Sequence, residues 1–301
     1  MNRATFKKNL IEGINAFYGL EYAKKKEVWR EYLNVETEGK KAYIEDVMMK
    51  GFGAAPVKAE GAAGAYDAGG EVYTTRYMFE TIVLHFAITQ EAEEDGLYGS
   101  LIGKYGTAAA AALRHTKAIK GANILNNGFD TNFPGGDGLP LFSASHVVQG
   151  GVASNTLATP ADLSETSLED MLIMIDDATD YRGIPIGLES KKLVVASSNR
   201  FNAARLLKSA QQADTANNAI NAVKDSGMLS SFVVDTRLTD PDAWFITTDC
   251  MDGLKHVMRK AVQKSVEGDF ESGNMRVKFR ERYVNGWSDW HGCYGSSGGG
   301  A

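Results

Sequence analysis

The chain has 301 residues, of which 44% are hydrophobic and 23% charged, with a net charge of -6 at pH 7. That is enough chain to bury a large core. The acidic balance excludes a protein that grips nucleic acid over its whole surface, which needs an excess of Lys and Arg. Cys250 and Cys293 lack a Cys-x-x-Cys partner, so a disulfide framework and a thiolate zinc site are both excluded and a reducing compartment is expected. No apolar run reaches the ~20 residues of a membrane span. The N-terminus shows no signal-peptide core, so folding in a cytoplasm is expected.

Residues 1–45 form a polar-amphipathic arm, with Phe6, Leu10 and Ile14 at helical spacing and a solvated Lys24–Lys26 stretch. The arm is too small to make a core alone and is expected to pack on something else. Residues 50–71 are rich in Gly and Ala and nearly free of large apolar side chains, which leaves them unable to fold on their own. The β-branched and aromatic run from Glu71 to Leu84 predicts a strand, so the pair reads as a long arm with a mobile tip.

From Gln90 to about Leu125 the period changes. Leu97, Leu101, Tyr105, Ala108, Ala112, Thr116 and Ile119 step by three or four, predicting one face of a helix roughly 50 Å long. Glu91, Glu93, Glu94 and Asp95 load its start and Lys117 and Lys120 its end, in keeping with the helix dipole. Gly96, Gly99, Gly103 and Gly106 predict a bend or break in its first half. Residues 129–160 are turn-rich. A second helix is predicted from Ser164 through Ile175, a strand over Lys192–Ala196 and a helix over Asn199–Ser209. Residues 210–227 read as a mobile loop, with strands at Phe232–Val234 and Trp244–Thr247. Alternation from Lys255 to Tyr294 predicts long antiparallel strands, and the closing Gly295–Ala301 reads as unstructured.

Motifs for chemistry are scarce. Leu101–Tyr105 lacks the Gly and Ser/Thr of a phosphate loop, and Pro56 spoils a dinucleotide fingerprint in Gly51–Pro56. The five histidines include no metal-binding pair. Ser143 and His146 are the one nucleophile and base close together, but no Gly-x-Ser-x-Gly elbow surrounds them, and a turn hydrogen bond is the plainer role for His146. The expectation is therefore no enzyme, no metal and no cofactor. Arg276, Lys278, Arg280 and Arg282 alternate on a predicted strand, so they share one face, which meets DNA, a neighbouring subunit or water.

The order of elements resembles the HK97-like capsid fold of tailed bacteriophages, an α+β architecture. Two stretches sharpen the likeness: Asp137-Gly138-Leu139-Pro140-Leu141-Phe142-Ser143-x-x-His146, and Arg280-Glu281-Arg282-Tyr283-x-x-Gly286-Trp287-x-Asp289-Trp290 through Tyr294-Gly295-Ser296. Both are similar to the Mu-like phage major head subunit. The resemblance implies an N-terminal arm over 1–45, an extended E-loop over 46–85, a P-domain with a spine helix over 86–160 and an A-domain over 161–250. Return strands of the P-domain would follow over 251–295 and a flexible tail over 296–301. It implies a major capsid protein assembling as hexamers and pentamers of an icosahedral head around double-stranded DNA, with weak, non-specific DNA contact. A separate scaffolding protein and a portal would be partners, and the location would be the virion, assembled in the bacterial host cytoplasm. Lys58 and Tyr66 in the loop, with Arg276, Lys278, Arg280 and Arg282, are the candidate inter-subunit or DNA-facing contacts. Lys58 is the one lysine available for a crosslink, but no matching Asn motif is present. An encapsulin-like cellular compartment and a hydrolase using Ser143 and His146 are the alternatives.

Overall fold

The structure, a computed structural model, describes residues 26–61, 63–89, 91, 101–211, 220–229, 231–269 and 273–299. Two four-stranded sheets organise them. The first has the order β1 (Asn34–Thr37), β10 (Leu254–Gly268), β11 (Met275–Trp287), β4 (Glu80–Ile88). Here β1 runs parallel to β10 and the other pairs are antiparallel. The second has the order β12 (Cys293–Ser296), β9 (Trp244–Thr248), β7 (Ser190–Val195), β8 (Phe232–Val234), with β7 and β8 parallel. Two hairpins complete the strands: β2 (Tyr43–Met49) with β3 (Glu71–Met78), and β5 (His146–Val148) with β6 (Gly151–Ala153).

The long helix α1 runs over Leu101–Asn126. Its Ala109 and Leu113 pack on Met275, Val277 and Phe279 of β11 and on Ile88 of β4. This is a different face from the one read in the sequence. Tyr105, Ala108, Ala112 and Ile119 are exposed, whereas Gly106, Ala110, Leu113, Lys117, Gly121 and Leu125 are buried. In an alanine-rich helix the large apolar side chains do not mark the core side, because Gly and Ala admit the closest packing. Gly121 illustrates this: a Cβ there would come within 2.9 Å of Trp29. The helix is continuous through Gly103 and Gly106, while Gly96, Gly99 and the acidic residues 93–95 lie outside the described residues.

Trp29, Tyr32 and Leu33, on and after a 3-10 turn (Val28–Glu31), are buried in the main core, so this part of the arm packs on the body of its own chain. Residues 1–25, including Phe6, Leu10 and Ile14, lie outside the described residues. The strand expected over Glu71–Leu84 is two strands in two different sheets, broken at Phe79. Phe79 is buried, which fixes the point where the chain leaves the hairpin for the first sheet. The described residues among 50–70 carry no regular secondary structure, and Lys50 N–H donates to Gly70 O to close their base. The boundaries 45/46 and 85/86 therefore fall inside β2 and β4.

The second sheet is covered by α2 (Glu165–Asp176) and α3 (Arg200–Lys208). Ser164 caps α2 by accepting from Ser167 N–H, and Leu168, Met171, Leu172 and Ile175 bury its inner stripe. A short helix, α4 (Ala222–Asp225), occupies part of the segment read as a loop, and 212–219 lie outside the described residues. The C-terminal segment is also not a free tail. Ser296 belongs to β12 and is buried, and Gly299 N–H donates to Asp162 Oδ1. Gly295 sits so close to Phe245 and Phe142 that a Cβ would lie 2.7 Å from the former, so its glycine serves packing.

Candidate functional site

The two motif stretches, some 140 residues apart, meet in one buried cluster. Gly135 and Gly136 pass beneath Trp287 and beside Thr75 and Tyr73, with no room for a side chain. The turn they form delivers Asp137, whose carboxylate lies 2.6 Å from His146 Nδ1. His146 Nε2 faces Leu141 O at 3.2 Å, and the fully buried ring stacks on Trp290 at 4.5 Å, nearly parallel. His291 stacks against Trp290 as well, at 3.5 Å. Its Nδ1 lies 2.6 Å from Asp289 Oδ1 and its Nε2 3.0 Å from Thr179 O. Burial opposes the charge on Asp289, but the hydrogen bonds and charge of His291, with the bond from Cys250, together hold the carboxyl below its usual range.

Asn155, which nothing in the sequence singled out, pins the same junction. Its amide donates to Leu141 O and Cys293 O, and its carbonyl accepts from Ser143 N–H. A fully buried Asn joining three segments costs little because every polar atom is matched.

This geometry does not make a hydrolase. Both His146 nitrogens are already faced by acceptors, and Ser143 Oγ accepts from Ser145 N–H. Cys250 donates to Asp289 Oδ2 at 3.4 Å, and burial pushes both its thiol and that of Cys293 well above the usual value. Both cysteines are free. Among the described residues no cluster of His, Cys, Asp or Glu could hold a metal ion. No described helix is long and apolar enough to cross a membrane.

The hairpin arm is anchored at two places. At its base Lys255 Nζ lies 2.6 Å from Asp46 Oδ2, which also accepts from Ser288 Oγ at 2.7 Å. Burial disfavours the Lys255 charge, but the bond to Asp46 and the negative charges of Asp46, Glu36 and Asp252 together raise its pKa. Tyr77 donates to Trp287 O, and its hydroxyl lies 3.0 Å from Ser288 Oγ. Farther out, Asp67 accepts from Gly53 N–H at 2.6 Å and from Arg182 Nη1 at 2.7 Å, and Arg182 Nη2 donates to Ala68 O. Beyond these anchors the loop is open: Lys58 is exposed, and Phe52, Val57 and Tyr66 are large apolar side chains in solvent.

On β11 the alternation is as read. Val277, Phe279, Glu281 and Tyr283 are buried, while Arg276 and Lys278 are exposed and Arg280 and Arg282 half-buried. Arg276 pairs with Asp269 at 2.6 Å. The cross-strand neighbours of Lys278, Arg280 and Arg282 on β10 are Ser265, Gln263 and Lys260, none of them acidic. The basic face and the loop pair Lys58 and Tyr66 sit on separate elements.

On the buried face of β11, Glu281 meets Lys117 of α1 at 2.8 Å, both almost wholly shielded from water. Burial raises the Glu281 carboxyl above its usual value, against the pull of Lys117.

The described residues thus form an α+β fold of two four-stranded sheets, two hairpins and one long helix. Residues 71–296 match the family described as phage capsid protein, and the chain belongs to that family. It is a structural capsid protein of phages, not an enzyme. No curated protein sequence matches it. Among solved structures, the chain is similar to the virus-like particle from Pyrococcus furiosus, with a TM-score of 0.56 and 11% identity, over 95% of this chain and 98% of that one. The capsid of Myoviridae Phage XM1 gives a TM-score of 0.52 at 11% identity, covering 89% and 90%. The capsid of Cyanophage P-SCSP1u gives 0.57 at 10% identity, covering 89% and 87%. At these identities the likeness is one of fold.

Proposed function

We propose that this chain is the major head subunit of a tailed phage of the Mu-like type, assembling as hexamers and pentamers of an icosahedral shell around double-stranded DNA. In this reading 1–45 is the N-terminal arm and the β2–β3 hairpin with its loop the E-loop. Helix α1 is the spine of a P-domain that β10 and β11 complete, and 161–250 is the A-domain. The observation that carries the reading is the hairpin arm. It holds Phe52, Val57 and Tyr66 in water on a segment with no core of its own, a cost that contact with another subunit offsets. A separate scaffold and a portal are the expected partners, in the bacterial host cytoplasm. The net charge of -6 supports weak, non-specific DNA contact, in which Arg280 and Arg282 are the residues to test.

Electron microscopy and light scattering of the purified protein test the proposal. Rings or closed shells are expected; a monomer at every salt and protein concentration overturns it. Double-stranded DNA inside particles made in the host fits a phage head, whereas enclosed enzyme in its place fits an encapsulin-like compartment.

A further inference from the structure

Helices α2 and α3 present exposed faces of opposite charge, each around one large apolar side chain. On α2, Ile173 stands in solvent with Asp170 and Asp177 three and four residues away, and Glu169 and Asp176 flank it on the other side. On α3, Phe201 is still more exposed, and Arg205 and Lys208 fall on its side of the helix, Lys208 Nζ also lying 5.5 Å from the Phe232 ring centroid, while the exposed Arg200 stands about 100° around at the flank. None of these seven charges has an ion-pair partner among the described residues. The dipoles account for part of this placement: Arg205 and Lys208 lie in the last turn of α3, where cations are favoured, and α2 has Glu165 in its first turn. Asp176 and Asp177 sit at the C-terminal end of α2, where the dipole disfavours anions, and α2 has no basic residue in its last turn. Arg200 opens α3, where cations are disfavoured, with no acid in the first turn. The two faces, opposite in charge and each with one exposed apolar side chain at its centre, are complementary to each other.

We propose that the acidic α2 face of one copy docks on the basic α3 face of the next, Ile173 and Phe201 forming the dry centre and the charges the rim. Repeated from copy to copy in one direction, such a contact is head-to-tail and closes into a ring where the rotation permits. Opposed potentials fix the register and exclude back-to-back pairing of like faces. The inference rests on the shell-subunit reading.

Charge swaps test it. Variant D170K/D176K/D177K has two basic faces, variant R200E/R205E/K208E two acidic ones, and each alone is expected to stay unassembled at low salt. The six-site swap restores complementarity and is expected to assemble. An equimolar mixture of the two triple variants is expected to give even-numbered rings only, because copies must alternate; hexamers form and pentamers do not. Phe201→Ser and Ile173→Ser touch no core and are expected to raise the protein concentration needed for assembly roughly tenfold each, which keeps the test open should a triple variant fold poorly. A wild type that never assembles refutes the shell reading. A wild type that assembles, beside folded single-face or serine variants that assemble equally well, refutes the paired faces alone. So does a folded six-site swap that stays monomeric.

Discussion

The buried pair Lys117–Glu281 offers the sharpest energetic test of how α1 is held to the first sheet. The side chains are 5% and 1% exposed and the charged atoms 2.8 Å apart, so each charge has given up water for the other. Removing one partner of such a pair costs about 3–5 kcal/mol, because the remaining charge stays buried without compensation. Replacing both by apolar residues of similar volume is close to neutral or stabilising by about 1–4 kcal/mol. Lys117→Met and Glu281→Leu should therefore each lower the stability of the soluble subunit by several kcal/mol, while the double variant recovers most of it. Urea unfolding of the four proteins, followed by tryptophan fluorescence, measures the cycle. Single-site losses under about 1 kcal/mol would falsify the claim that the pair is desolvated and mutually dependent. Independent, additive losses would do the same.

His256 predicts an acid limit on stability. Burial pushes its pKa down to about 4, with the Asn285 hydrogen bond pulling the other way. The unfolded chain then binds the proton more readily, so stability is full above about pH 6.5 and falls as pH drops toward 4, by roughly 3 kcal/mol at most. Unfolding free energy of wild type against His256→Gln, from pH 7 to 4, should show a shallower slope in the variant; equal slopes contradict the assignment. Gly292 faces Gly253 so closely that a Cβ would lie 2.2 Å from its Cα, backbone on backbone. Gly292→Ala should cost about 1–3 kcal/mol or more in the same urea assay, and an unchanged midpoint would be the contrary result. Arg182→Ala should release the outer part of the arm, with faster hydrogen exchange over residues 50–70 in the unassembled subunit and unchanged exchange in β10 and β11. Arg280→Glu with Arg282→Glu should leave folding intact and lower DNA retention in intact shells, whereas lost assembly would assign these residues to a subunit contact.

Much of the fold was legible in the sequence where one period governed one element. Ser164 with the stripe Leu168, Met171, Leu172 and Ile175 marked α2, and the alternation through Val277, Phe279 and Tyr283 marked β11 with its basic outer face. The face of α1 was not legible, because five consecutive alanines fit either side, and a buried lysine reads as a solvated one until Glu281 is known to face it. The break at Phe79 was hidden because strand residues continue on both sides of it. Gly295 to Gly299 looked unstructured because glycine packed beneath Phe245 and glycine in a linker share one letter. The motif residues Asp137, His146, Asp289 and Trp290 were visible as a resemblance, but their meeting around one indole was not. Asn155 carried no signal, since a polar residue in a turn-rich stretch is ordinary until its three partners are placed.

Both sheets are closed by the end of the described chain. The first sheet lacks its middle until β10 and β11 exist, and β1 finds its parallel partner more than 200 residues downstream. The second lacks an edge until β12 pairs with β9, and the Asp137–His146 turn has no indole to stack on before Trp290. A nascent chain emerging from the ribosome can thus complete neither sheet early. Pairings this distant in sequence form slowly, so the rate at which competent subunits appear is set by finishing and collapsing the whole polypeptide. On the proposed reading as a subunit that joins its own copies, half-made chains are expected to lack the frame that orients their joining surfaces, so that only completed ones would enter a growing assembly.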